Sequence, residues 1–191
     1  MKKSTFVVLA IALLAIAGCG AAAPKPSEPM PDPLAGVPAR VLYNRGLRHA
    51  KQGDDVRAEQ YLTAALEHGA PAEKVLPALV EAAISGQRYR SALGYAEALI
   101  ARGNADWTIH YLVATLRAGT GNEAGAKRIL VQLLEDQPAA AAPRYLYAAL
   151  LIAEGGRGRE ARHNLEEYLE LAPEGDHAAE ARRLLRHGDL R

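Results

Sequence analysis

The stretch Leu42-Tyr43-Asn44-Arg45-Gly46, then Lys51-Gln52-Gly53-Asp54, then Ala58-Glu59 and Ala64-Ala65-Leu66-Glu67 decides the fold. It reads as a helix, a short glycine-containing turn, and a second helix with an alanine early in it. From Ala39 onward the pattern recurs in four segments. The early alanines of the second helices are Ala58, Ala92, Ala126 and Ala161, and twelve positions before each stand Gly46, Val80, Ala114 and Ala149. Glycine falls in each inter-helix turn as Gly53, Gly86, Gly121 and Gly156, with Gly86 one place early, and proline closes the last two segments at Pro138 and Pro173. The period is 34 residues, lengthening to 35 at the last step. A unit of that length cannot bury its apolar face alone, so it must stack on its neighbours.

This periodicity predicts helices near 39–52, 55–68, 72–85, 88–102, 106–118, 122–135, 141–153 and 157–171. Pro77 falls inside the third of these, where it costs an interior hydrogen bond unless the helix starts late or kinks. A further amphipathic stretch runs from Asp176, a candidate N-cap, to His187. Ala178, Ala181, Leu184 and Leu185 lie on one side of it, as expected of a helix covering the end of a stack.

The composition agrees with close-packed helices. The chain has 191 residues, 49% apolar and 24% charged, with a single phenylalanine, Phe6. A core without phenylalanine has few strand-forming residues to build a β-sandwich. The 23 basic and 22 acidic residues nearly cancel, and no basic stripe marks a nucleic-acid surface. A single cysteine rules out an intramolecular disulfide and a thiolate metal cluster.

The repeated unit resembles the tetratricopeptide repeat, and the resemblance runs over residues 39–174. It implies an all-α solenoid of about four helix-turn-helix repeats, near 39–72, 73–106, 107–140 and 142–174, with a capping helix in 175–191. In that family a small residue at the eighth position lets the first helix accept the second, and the alanine at the twentieth sits where they cross. Larger residues, here Leu42, Leu62, Leu76, Leu79, Val113, Leu130, Tyr145, Ile152 and Leu165, fill the remaining space. Arg45, His49, His110 and Arg117 stand where the family places apolar residues. Leu99, Leu133 and Tyr168 stand where it prefers small ones.

The resemblance also implies a concave groove lined by the first helices. Carried over residue by residue, the lining is Arg40, Tyr43, Leu47 and Lys51 from unit one, and Lys74, Glu81 and Ser85 from unit two. Unit three gives Thr108, Tyr111 and Thr115, and unit four Leu146, Leu150 and Glu154 beside Tyr147. The carboxylate clamp by which some members hold cytosolic chaperone tails is absent, because Tyr43, Leu47 and Glu81 occupy its positions.

The N-terminus carries a second signal. Lys2 and Lys3 precede twelve apolar residues, Phe6–Ala17, a run that suits a secretory leader and falls short of the roughly 20 residues that span a bilayer. It ends in Ile16-Ala17-Gly18-Cys19, which resembles the lipobox of bacterial lipoprotein precursors. That resemblance implies a leader of residues 1–18, a diacylglyceryl thioether and a further acyl chain such as palmitate on Cys19, and stable membrane attachment by more than one chain. Gly20, where aspartate would signal inner-membrane retention, implies in a Gram-negative host an outer-membrane anchor facing the periplasm. Residues 19–38 contain six prolines between Pro24 and Pro38 and read as a tether, which at polyproline dimensions reaches about 50–60 Å.

Nothing points to catalysis, a cofactor or a small-molecule substrate. The six histidines form no HxxxH or HExxH pair, and Gly119–Lys127 lacks the Walker spacing. No Gly-x-Ser-x-Gly elbow is present. The expectation is a non-enzymatic, lipid-anchored scaffold that holds an envelope protein or peptide segment in its groove. It resembles tetratricopeptide lipoproteins that assist assembly of pilus secretins and outer-membrane machines. The alternatives are an adaptor recruiting cell-wall hydrolases, or an enzyme with converging carboxylates or histidines in the groove.

Overall fold

A computed structural model describes residues 33–187. The expected leader, Cys19 and the expected tether up to residue 32 lie outside the described residues. From Gly36 onward the described residues form one compact unit. Its helices are α1 Ala39–Lys51, α2 Asp55–Glu67, α3 Ala72–Ser85, α4 Tyr89–Ala101, α5 Trp107–Gly119, α6 Glu123–Asp136, α7 Ala141–Glu154, α8 Gly158–Leu171 and α9 Ala178–His187. The first eight begin and end within one residue of the spans read from the sequence, and no strand occurs among the described residues. No helix among them is long and apolar enough to cross a membrane.

Local chemistry sets several of these boundaries. Asp54 accepts the backbone N–H of Arg57 at 3.1 Å and so opens α2. Asp106 takes those of Thr108 and Ile109 at the start of α5, and Asn122 takes that of Gly125 at the start of α6. Each satisfies one or two of the donors that a helix N-terminus leaves unpaired. Pro77 sits inside α3, which neither starts late nor breaks. Its ring is on an exposed face, where water can take over the hydrogen bond it cannot donate.

The crossing alanines Ala58, Ala92, Ala126 and Ala161 are all fully buried. Around them pack Leu42, Leu62, Leu79, Val113, Leu130 and Leu165, also buried. The polar residues in apolar positions each find a partner. His49 stacks flat on Tyr61 at 5.3 Å, with the Arg45 guanidinium 5.9 Å from the same ring. His110 Nδ1 lies 2.8 Å from the Asp106 carbonyl, and Arg117 pairs with Glu97 at 2.7 Å. Leu99, Leu133 and Tyr168 are buried instead of replaced by small residues, so the later units are packed with more bulk between helices.

Charged pairs join successive units. Arg88 donates to Glu59 at 2.5 Å and to the Asp55 carbonyl at 2.9 Å, and the Tyr95 hydroxyl donates to the other Glu59 oxygen at 2.7 Å. Glu97–Arg117 links the second unit to the third, and Lys127–Glu154 links the third to the fourth.

Three details correct the sequence reading. In unit two the left-handed turn residue is Gln87 (φ 58°), one place after Gly86, and in unit four it is Gly155 ahead of Gly156, so Gly53, Gln87, Gly121 and Gly155 share one register position at strict 34-residue spacing. In unit four the fully buried small residue of the first helix is Ala148, not Ala149, and Tyr147 and Leu151 fill the space assigned to Tyr145 and Ile152. The first helix of unit four therefore keeps the 34-residue period, and the extra residue lies in the turn, where Gly155 and Gly156 both have positive φ. Finally, α9 starts at Ala178 with the Ala181 N–H donating to the His177 carbonyl at 2.8 Å. Asp176 is exposed and precedes the cap position. Ala178 and Ala181 are buried against the end of the stack, as expected of a terminal helix.

Candidate functional site

The first helices form one face. Among non-consecutive helices, α1 touches α3 and α5 touches α7, so the first helices meet between units one and two and between units three and four. Side chains four apart line one stripe of a helix, and the stripe looking away from the second helices makes the floor.

In unit one this stripe is Arg40, Tyr43, Leu47 and Lys51. Arg40 and Lys51 are exposed. Tyr43 and Leu47 are half-buried and rest on the central apolar cluster. The Tyr43 hydroxyl reaches across to the Lys74 carbonyl at 3.5 Å, laying the ring over the seam between α1 and α3. In unit two Lys74, Glu81 and Ser85 are exposed, with Pro77 between them. The Ser85 hydroxyl donates to Asp55 at 3.0 Å. In unit three Thr108 and Thr115 are exposed and Tyr111 is half-buried against the C-terminal apolar cluster. Burial pushes the Tyr111 phenol above its ordinary value.

Unit four departs from the sequence assignment. Tyr147 is 4% exposed and its hydroxyl donates inward to Glu160 at 2.8 Å, and Leu150 is 8% exposed. Neither lines the floor. Leu146 is half-buried against the core, and Glu154 is spent on Lys127 at 2.6 Å. The physical reason is the register: with the extra residue in the turn, the floor positions of α7 are Ala142, Tyr145, Ala149 and Ala153. Tyr145 is the residue that counting back from Ala161 missed, and counting forward 34 from Tyr111 finds it.

One register position thus carries Tyr43, Pro77, Tyr111 and Tyr145. The Tyr145 ring is held by a flat stack on His177 at 4.1 Å and a tilted contact with Tyr168 at 5.5 Å. The end of the floor is therefore built by the α8–α9 connection as well as by α7.

The unit-one end of the floor is positively charged. Helix α1 carries Arg40, Arg45, Arg48 and Lys51 and no acidic residue. Arg40 sits in the first turn, where the helix dipole disfavours a cation. Arg40, Lys51 and Lys74 enter no ion pair among the described residues. No group of three or more His, Cys, Asp or Glu among those residues is arranged to hold a metal ion. A separate hollow of about 480 Å³ lies between α5 and α6, lined by Trp107, Ile129, Leu133 and Arg128 among others. Nothing in the repeat pattern signals it, because its walls come from the junction of two helices.

No family model matches the sequence, and comparison with curated proteins returns no match. Solved structures do match. A tetratricopeptide repeat protein from Parabacteroides merdae superposes with a TM-score of 0.66 at 20% identity, over 78% of this chain, which spans 59% of that one. YrrB, a TPR protein with an unusual peptide-binding site, gives 0.66 at 18% identity over 76% of this chain and 75% of its own. The MamA protein of Desulfovibrio magneticus gives 0.64 at 17% identity, covering 80% and 86% of the two chains. Identities this low speak for fold alone, and on that point they agree with the register: residues 39–187 have the fold of a tetratricopeptide repeat solenoid.

Proposed function

We propose that this chain is a lipid-anchored scaffold that holds a segment of another envelope protein on the face of α1, α3, α5 and α7. The single observation that carries the reading is that face: aromatic rings recurring at one register position, flanked at one end by unpaired cations. Tyrosine offers a large apolar body with a polar tip at low entropic cost, which suits peptide recognition. A leader ending in Ile16-Ala17-Gly18-Cys19 supports attachment through Cys19, and the proline-rich 19–38 segment supports a tether between bilayer and solenoid. In this reading it sits at the outer membrane facing the periplasm and takes part in assembling an envelope complex such as a pilus secretin, which Gly20 and the resemblance to lipoprotein assembly factors support.

The test is a pull-down from detergent-solubilised envelopes with the acylated chain. Tyr43→Ala/Tyr111→Ala should keep its helical content and membrane attachment yet lose its partner, whereas Gln60→Ala/Arg128→Ala should not. Loss of the partner only in the second variant would move the site to the second helices. Cys19→Ser should lose fatty-acid label in metabolic labelling, and equal label on both forms would remove the anchor from the reading.

A further inference from the structure

Each unit after the first stacks on the one before it, and the same positions make that contact. One 34-residue period beyond Val41, Arg45, Arg48 and His49 stand Val75, Leu79, Ala82 and Ala83, all buried. In unit three the places of Arg45 and Arg48 are taken by Val113 and Leu116, in clusters that include Leu99 and Ala83 of unit two. In unit four the places of Arg45, Arg48 and His49 are taken by Tyr147, Leu150 and Leu151, again buried.

Among the described residues no unit precedes unit one, so there these positions stay open. Arg45, Arg48, His49 and Gln52 on α1 and Tyr61 on α2 line a hollow of about 280 Å³. No described carboxylate lines it, and Arg45 and Arg48 enter no ion pair among the described residues. The nearby Asp54 carboxylate, 3.7 Å from His49, is held by Arg57 at 3.0 Å. With 3.6 residues per turn, Arg45, Arg48 and Gln52 lie on the side of α1 opposite Tyr43, Leu47 and Lys51, so this surface is separate from the floor. A terminal face turned only to water needs no more than polar groups. The far end of the stack fits that description, since two of the three arginines of α9 have carboxylate partners, Arg182 with Glu174 and Arg183 with Glu180. The near end instead leaves two guanidiniums beside an aromatic ring.

The junctions inside the stack show what such a face accepts. Glu59 on α2 accepts the Tyr95 hydroxyl at 2.7 Å, and Glu97 on α4 accepts the Arg117 guanidinium at 2.7 Å. Tyr95 stands one period after Tyr61, and Arg117 two periods after His49. Glu97 lies one period and four residues after Glu59, so the two carboxylates occupy positions i and i+4 of a second helix. Leu116, at the place of Arg48, clusters with Leu93, which stands at the place of Glu59. Position i therefore faces both Tyr61 and Arg48. Asp54 stands where unit two has Arg88, and Arg57 neutralises it.

We propose that the open end of unit one docks an acidic amphipathic helix of a partner protein, seated where the second helix of a preceding unit would pack. Its carboxylate at i meets Tyr61 and Arg48, its carboxylate at i+4 meets His49 and Arg45, and its apolar stripe covers Val41 and the Tyr61 ring. Complementary charge selects this partner over a second copy of the chain, whose far end also carries arginines.

The probe is a fluorescein-labelled peptide of about four helical turns, stapled on its outer face, with an alanine–leucine stripe and glutamates at i and i+4. Its binding to the full chain in detergent is followed by fluorescence anisotropy. Saturable binding is expected, weakened about tenfold or more by Arg45→Glu/Arg48→Glu or by glutamines in place of the glutamates. Moving the second glutamate to i+2 should weaken it to a similar degree, and Arg128→Glu, a like change in unit three, should leave it unchanged. Arg45→Glu/Arg48→Glu should bind a peptide with lysines at i and i+4 better than the parent does, which also shows that the variant is folded. Absence of saturable binding, or equal binding of the glutamate and glutamine peptides, overturns the proposal. So does a dimer that Arg45→Glu/Arg48→Glu dissociates, because the face would then belong to a second copy. Displacement of the peptide by dihexanoyl phosphatidylglycerol but not by dihexanoyl phosphatidylcholine would give the face to a lipid surface and overturn it as well. None of these outcomes bears on the floor, which Tyr43→Ala/Tyr111→Ala tests separately.

Discussion

Gly46 on α1 and Leu62 on α2 are so close that a Cβ added to the glycine would lie 2.6 Å from Leu62 Cγ and 3.2 Å from the Ala58 carbonyl oxygen. Leu62 is fully buried and has little room to move. Alanine at position 46 gains about 1 kcal/mol of helix propensity, but overpacking a tight core costs about 1–3 kcal/mol. Gly46→Ala should therefore lower the melting temperature even though alanine is the better helix former. Gly46→Ala/Leu62→Ala should lose less than the two single changes added together, since shortening Leu62 opens the space the methyl needs. Additive losses in thermal denaturation would show that the two helices are not locked at this contact.

The turn of unit four yields a sharper test of register. Deleting Gly156 leaves Glu154-Gly155-Arg157, which corresponds to Gly86-Gln87-Arg88 in unit two and keeps a left-handed residue at its centre. The variant should fold with a melting temperature close to that of the parent. Deleting Gly121 removes a residue from a turn that has none to spare, and rotates α6 by about 100° against α5 or strains the connection. Circular dichroism melts of the two deletions should differ by many degrees. Equal destabilisation would place the extra residue elsewhere.

The same turn explains what was legible in the sequence. Helix existence and order were, because alanine and leucine recur at fixed spacing and one unit's error does not spread to the next. In units one to three, which residues share the face turned away from the second helices was legible for the same reason. In unit four it was not, because the 35-residue step could sit anywhere between Ala126 and Ala161, and counting back from Ala161 put it ahead of α7. Two glycines in a row mark where a chain takes an additional left-handed residue, and Gly155-Gly156 was that mark. Gln87 was hidden because a glycine stood next to it and glutamine seldom adopts positive φ. Ion pairs such as Glu59–Arg88 join residues 29 apart, and no local pattern announces them.

Tyr95, Tyr111, Tyr145 and Tyr147 share one electrostatic property. Burial is the largest cause raising each phenol above the ordinary value of 10.0, and the Glu59 carboxylate adds to it for Tyr95 as Glu160 does for Tyr147. A folded-state value above the unfolded one means the folded chain holds its protons longer. The stability from these groups is therefore complete below about pH 10 and is lost as pH rises through their folded values. The melting temperature should be level through neutral and mildly alkaline pH and then fall. Tyr95→Phe should make that fall shallower, since phenylalanine has no proton to lose. A melting temperature that does not change across the tyrosine range would contradict the burial of these rings.

Tyr145 and Tyr147 stand two residues apart on α7 and should behave as opposites. Tyr147 is a core side chain with its hydroxyl tied to Glu160. Truncating a large buried aromatic costs about 3–5 kcal/mol, and in a chain of this size each kcal/mol lowers the melting temperature by about 2–4 °C. Tyr147→Ala should thus melt far below the parent, while Tyr147→Phe loses only a hydrogen bond worth about 0.5–1.5 kcal/mol. Tyr145 is half-buried on the floor, stacked on His177, so Tyr145→Ala should melt much nearer the parent and still weaken capture of the envelope partner. Measuring melting and pull-down on both variants separates the two registers directly. If Tyr147→Ala kept its fold and lost the partner, while Tyr145→Ala unfolded, α7 would be turned the other way and its floor would be Leu146, Tyr147 and Leu150 after all.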